Sequence, residues 1–101
     1  GIEPEFFLLK KDGARYVPAD GADRLDKPSY DLKSLPRQQP FLHALRGALE
    51  AAGLTVLQTA HEDAHGQYEL NFAYDEALRS ADHVMLLKLA ANVPNTGPVT
   101  A

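Results

Sequence analysis

Three observations predict an α+β domain, with a mainly antiparallel sheet and two helices packed on one face. The first is the order of local signals, which runs strand, strand, helix, strand, strand, helix. The second is strict alternation over 67–72, with Tyr68, Leu70 and Phe72 on one face and Gln67, Glu69 and Asn71 on the other. The third is a pair of segments in which leucines recur at helical spacing.

Each element has its own warrant. Residues 2–10 read as a strand rich in aromatic and aliphatic side chains. Pro4 has no N–H to give a sheet ladder, so this end is an edge or a bulge. Glu3 and Glu5 point to one face, followed by Phe7 and Leu9; Phe6 and Leu8 take the other. Lys11-Asp12-Gly13 is a turn signal, and 14–17 is a short return strand. Residues 18–28 carry Pro18, Gly21 and Pro28 and read as an irregular loop, its 20–26 acids solvated. Residues 29–32 read as a short extended piece.

A helix follows, capped by Ser34 or Gln39, with Pro36 and Pro40 in its first turn. Phe41, Leu42, Leu45 and Leu49 form its core stripe, His43 lies on a flank, and Gly53 closes it. Residues 54–62 and 67–72 read as a hairpin. A four-residue loop, 63–66, sets 62 opposite 67 and 60 opposite 69, which puts Glu62 and Glu69 on one face. An odd loop would split them, because a one-residue slip turns every side chain over. Asp75 then caps a second helix over 76–90, with Leu78, Ala81, Met85 and Leu89 as its core side, broadened by Val84 and Leu86; His83 is expected at the surface. From Asn92 two prolines and a glycine predict a flexible tail over 92–101, leaving 1–91 as the domain.

Composition limits the functions open to the chain. Its 101 residues suffice for one modest core. With 45% apolar and 24% charged residues it has the profile of an ordinary globular protein. A net charge of -4 argues against nucleic acid and anionic membranes as partners, since both call for clustered Lys and Arg. No run of about 18 apolar residues predicts a membrane span, and the acidic opening does not resemble a signal peptide. The absence of cysteine removes disulfides, thiolate metal sites and thiol catalysis, and fits a cytoplasmic location.

The chemistry lies in the acids. Glu3 and Glu5 share a strand face, and so do Glu62 and Glu69 in the even register. Like charges so close cannot be enclosed without a cation. Carboxylate oxygens suit Mg2+ or Mn2+, which keep octahedral oxygen shells and often bind phosphates as well.

The two acidic stretches together resemble a known family. Glu3-Pro4-Glu5-Phe6-Phe7-Leu8 looks like the opening strand of the glutamine synthetase catalytic domain. The run from His61 to Phe72 (HEDAHGQYELNF) resembles the family's second metal-ligand hairpin. It is particularly close to the branch of glutamate–methylamine ligases and related γ-glutamyl amide synthetases. Tyr30-Asp31-Leu32-Lys33 and the stretch from Tyr74 to Asp82 match in order and spacing, and the resemblance covers roughly residues 1–89.

The resemblance implies roles. Glu5, Glu62 and Glu69 would hold one divalent ion beside glutamate and the incoming amine. Glu3 would bind a second ion against the phosphates of ATP, the co-substrate. Glu62 would also stabilise the ammonia or amine, with Tyr30 near that pocket. The reaction implied is ATP-dependent formation of a γ-glutamyl amide through γ-glutamyl phosphate, in an enzyme that assembles as homo-oligomeric rings. The family's remaining ligands of the second ion, its ATP-binding residues and its substrate-binding arginines have no counterparts in these residues. The chain alone is therefore expected to be inactive.

Some positions stay open. Tyr30 either packs in its loop or serves the amine pocket. His61 is either structural or a support behind the acids. His65 is not expected to be a ligand. Two other function classes also stand: an acidic binding module for a basic partner, and a non-catalytic assembly piece of the same lineage.

Overall fold

A computed structural model describes residues 1–92. It contains seven main elements: β1 Glu5–Phe7, β2 Leu9–Asp12, β3 Arg15–Pro18, α1 Gln39–Ala51, β4 Val56–His61, β5 Gln67–Phe72 and α2 Ala77–Asn92. A single 3₁₀ segment, Leu35–Gln38, leads into α1. β1, β5 and β4 form an antiparallel sheet in that order, and β2 pairs with β3 in a separate hairpin. The class is α+β, as the sequence predicts.

The expected single strand over 2–10 breaks at Leu8. The Leu8 N–H donates to Gly66 O at 2.8 Å, and Leu8 O accepts from Ala19 N at 2.9 Å. The Leu8 side chain meanwhile sinks into the core. These contacts turn the chain out of the first sheet and into the β2–β3 hairpin. The flanking alternation survives: Phe6 packs against the core, while Glu5 and Phe7 stay exposed.

α1 follows its pattern. Phe41, Leu42, Leu45 and Leu49 are buried against Leu54, Val56 and the Tyr68/Leu70/Phe72 face of β5. Each such side chain contributes roughly 2 kcal/mol through burial. Gly53 closes the helix at φ 94°, with Leu54 N donating to Leu49 O and Gly53 N to Glu50 O. Neither expected cap makes a side-chain bond to the helix. Instead the Asp31 carboxylate accepts the N–H groups of Lys33 and Ser34 at the entry to the 3₁₀ segment. Residues 29–32 are a turn and not extended, with Tyr30 at φ 62°.

α2 departs most from expectation. Leu87 is its buried residue, and Val84, Ala90 and Ala91 pack beside it. Leu78, Met85 and Leu89 are 71%, 57% and 66% exposed. Apolar residues lie around most of this helix, so spacing alone could not choose the buried face. His83 is half-buried, its ring edge-on to Phe72 at 5.6 Å. Asn92, expected to open the tail, is the last helical residue and donates to Lys88 O; residues 93–101 of that tail lie outside the described part.

The 18–28 loop is not solvated throughout. Asp20 and Asp23 are buried. Asp20 accepts from Arg37 Nε at 2.6 Å and from Ala22 N. Asp23 meets His61 beneath the sheet. Basic partners brought from elsewhere in the chain allow these acids to leave water.

Candidate metal centre

The centre is built on three neighbouring strands. β5 lies in the middle, with Glu5 of β1 directly opposite Glu69 and Ala60 of β4 opposite Glu69 on the other side. The 63–66 loop keeps the even register, and Glu62 N donates to Gln67 O at 2.9 Å. Glu62 and Glu69 therefore share a face with Glu5, away from the helices. One carboxylate oxygen from each of Glu5, Glu62 and Glu69 lies within 4.8 Å of the other two.

The electrostatics of this arrangement are unfavourable. None of the ion pairs among the described residues involves these three acids. Glu62 is held above the usual carboxylate range, chiefly by a hydrogen bond shared with Glu69. Partial burial and the charges of Glu69, Glu5 and Asp63 push it the same way. A hard divalent ion fits this donor set, because its two positive charges would offset most of the repulsion among the three carboxylates.

Glu3 lies two residues before Glu5, is exposed, and is outside the group of three. Tyr30 comes alongside through its backbone, its N–H donating to His61 O at 3.2 Å, while the residue stays 77% exposed. It lines a cleft of about 150 Å³ with Leu32, Leu35 and the edge of β4. His65 donates from Nε2 to Leu25 O and ties down the loop.

Two residues around the acids escaped the sequence reading. The Gln67 Nε2 amide donates to Glu5 Oε2 at 2.7 Å, while its Oε1 accepts from Ala64 N. It links the hairpin loop to a carboxylate of β1. Its place on the Glu69 face of β5 was the available signal. Asp23 had none, since its partner His61 is 38 residues away.

Fold and site together define a class: an α+β domain that gathers hard oxygen donors on the face of its sheet opposite the helices. The family model "Glutamine synthetase, catalytic domain" matches residues 1–94, slightly beyond the limit that the motifs suggested. The chain belongs to the glutamine synthetase family. It is 46% identical over 91 residues to glutamate–methylamine ligase of Methyloversatilis universalis, covering 90% of this chain and 21% of that protein. It is 40% identical over 82 residues to glutamine synthetase of Rhizobium meliloti, covering 81% of this chain and 18% of that protein. The solved structure "Apo GmaS without ligand" superposes with a TM-score of 0.79 at 36% identity, over 89% of this chain and 21% of the other. The chain thus spans about a fifth of the length of these relatives.

Proposed function

We propose that these residues are the metal-bearing part of an ATP-dependent ligase that joins ammonia or a small amine to the γ-carboxyl of glutamate. In this reading Glu5, Glu62 and Glu69 hold one Mg2+ or Mn2+, and Glu3 supplies one ligand of a second. The observation that carries it is the convergence of three glutamates, two on the strands β1 and β5 and one just past the end of β4, with no cationic side chain paired to them among the described residues.

When bound, the divalent ions neutralise charge on the phosphoryl group passing from ATP to glutamate. The protein groups do the rest. Glu62 and Glu69 attract the amine as a cation, and Glu62 accepts its proton before attack on the γ-glutamyl phosphate. Gln67 holds the Glu5 carboxylate in its orientation through the amide bond. Tyr30, on its exposed turn beside β4, lines the amine side. The fuller protein is cytoplasmic and assembles as rings, and the present chain alone does not turn over.

A Mn2+ titration followed by amide line broadening tests the proposal. Broadening centred on Glu5, Glu62 and Glu69 is the expected result. Broadening spread over all acids, or centred on residues 20–26, would remove its basis. ATP- and glutamate-dependent phosphate release by the chain itself would contradict the inactivity.

A further inference from the structure

The side of β4 facing away from the three glutamates carries a second constellation. His61 and Asp23 are both enclosed, their side chains 0% and 1% exposed. His61 Nε2 lies 2.6 Å from Asp23 Oδ2, and His61 Nδ1 lies 2.7 Å from Glu62 O. The carbonyl can only accept, so Nδ1 carries a hydrogen; the Nε2···Oδ2 contact holds another proton. The same Asp23 oxygen accepts the Gly66 N–H at 2.6 Å. One carboxylate oxygen thus grips the hairpin on both sides of its loop, at residue 61 through imidazole and at residue 66 directly.

The surroundings leave this grip little play. Tyr68 packs on the His61 ring at 4.8 Å. Gly66 sits so close to Leu8 and the end of β3 that a Cβ on it would meet Leu8 O at 3.0 Å and Pro18 Cβ at 3.2 Å. Tyr30 N donates to the carbonyl of His61 itself. The peptide that carries Glu62 is therefore fixed from below, while its carboxylate stands among like charges above.

We infer that Asp23 and His61 are positioning residues that hold the Glu62 backbone against the mutual repulsion of the three carboxylates, and so set the affinity of the centre for a divalent cation. The inference rests on the metal-centre reading above. Without the clamp, Glu62 can swing away from Glu69, and the ion loses one donor of three. Asp20 supplies an internal control. It ties the same loop to Arg37, and its side-chain hydrogen bonds go to Arg37 and Ala22, not to the hairpin.

The test is Mn2+ affinity of the full chain, read from the EPR signal of the free ion, beside urea midpoints for each variant. Asp23→Asn and His61→Ala are expected to weaken binding by about tenfold or more. His61→Asn is expected to recover part of the loss, because its amide replaces Nδ1 as donor to Glu62 O. Asp20→Asn should lose stability and keep the affinity. If the wild type binds and Asp23→Asn binds as tightly, the clamp is overturned and the metal centre stands. If the wild type takes up no cation, both fall.

A measurement on the unaltered chain decides the matter if the variants do not fold. In a Mg2+ titration the His61 ring nitrogens should shift along the same curve as the Glu62 amide, with His43 unmoved. A silent His61 would overturn the inference.

Discussion

Two sets of acids meet opposite fates in this chain. Asp20 and Asp23 are buried, and each has a base: Arg37 for one, His61 for the other. Glu5, Glu62 and Glu69 lie closer to water, yet they face one another, and among the described residues no base pairs with them. In the first set folding itself brings the counter-charge. In the second the fold gathers like charges with no counter-charge paired to them among the described residues. An acid paired within the chain serves stability. A converging group left unpaired costs stability.

The contrast can be broken from the paired side first. Asp23→Asn should destabilise the chain by about 3–5 kcal/mol, because it strips an enclosed histidine of its partner and loosens the Gly66 contact. Urea unfolding measures this, and a loss below about 1 kcal/mol would mean the pair is not sealed from water. Gly66→Ala comes next. A residue with a side chain at φ 73°, pressed on Leu8 O, should cost roughly 1–3 kcal/mol by the same measurement.

From the unpaired side the sign reverses. Glu69→Gln removes a repelling charge and should leave stability unchanged or raise it by a few tenths of a kcal/mol, roughly the scale of an exposed charge pair. The same change should weaken Mn2+ binding severely. A variant that lost stability but kept the metal would dissolve the distinction between the two sets.

The smallest effect is on pH dependence. Glu62 binds its proton more tightly folded than unfolded, through Glu69 first. Its contribution is fully present below the ordinary glutamate pKa and is lost as pH rises through the raised value. Asp31 is the mirror case, held below the ordinary range chiefly by the Lys33 N–H, with the Ser34 hydroxyl, the Ser34 N–H and Arg37 adding to it. Its contribution is present above the ordinary aspartate pKa and is lost as pH falls through the lowered value. Urea midpoints between about pH 3 and 7 should therefore show Glu62→Gln gaining on the wild type as pH rises and Asp31→Asn gaining as pH falls. Saturating Mg2+ should abolish the first trend and leave the second.

These residues also show what could be read from the sequence. The alternation in β5, the four-residue loop and the α1 stripe are local patterns, and they led to the shared face of Glu62 and Glu69. What local pattern could not supply was choice among equals and partners at a distance. α2 is apolar on several sides, so packing against α1 and the core cluster took Val84 and Leu87 inward and left Leu78 and Met85 exposed. Leu8 reads as one more strand residue, yet two backbone bonds from Gly66 and Ala19 turn the chain there. Asp23 sits in a run of loop-forming residues, and only the fold reveals the histidine that takes it inside.

The order in which these contacts form carries one more consequence. The β4–β5 hairpin and α1 close over short stretches of chain, whereas Gln67 reaches Glu5 across 62 residues. Contacts at such separation bear the greatest loop-closure entropy and tend to form late. β1, only three residues long, is thus expected to dock late and to fray early. Glu5 travels with it, so the centre opens whenever that strand lifts. A divalent ion that ties Glu5 to Glu62 and Glu69 should act as a latch on β1, slowing hydrogen exchange at Phe6 and Phe7 while leaving the amides of α1 unaffected.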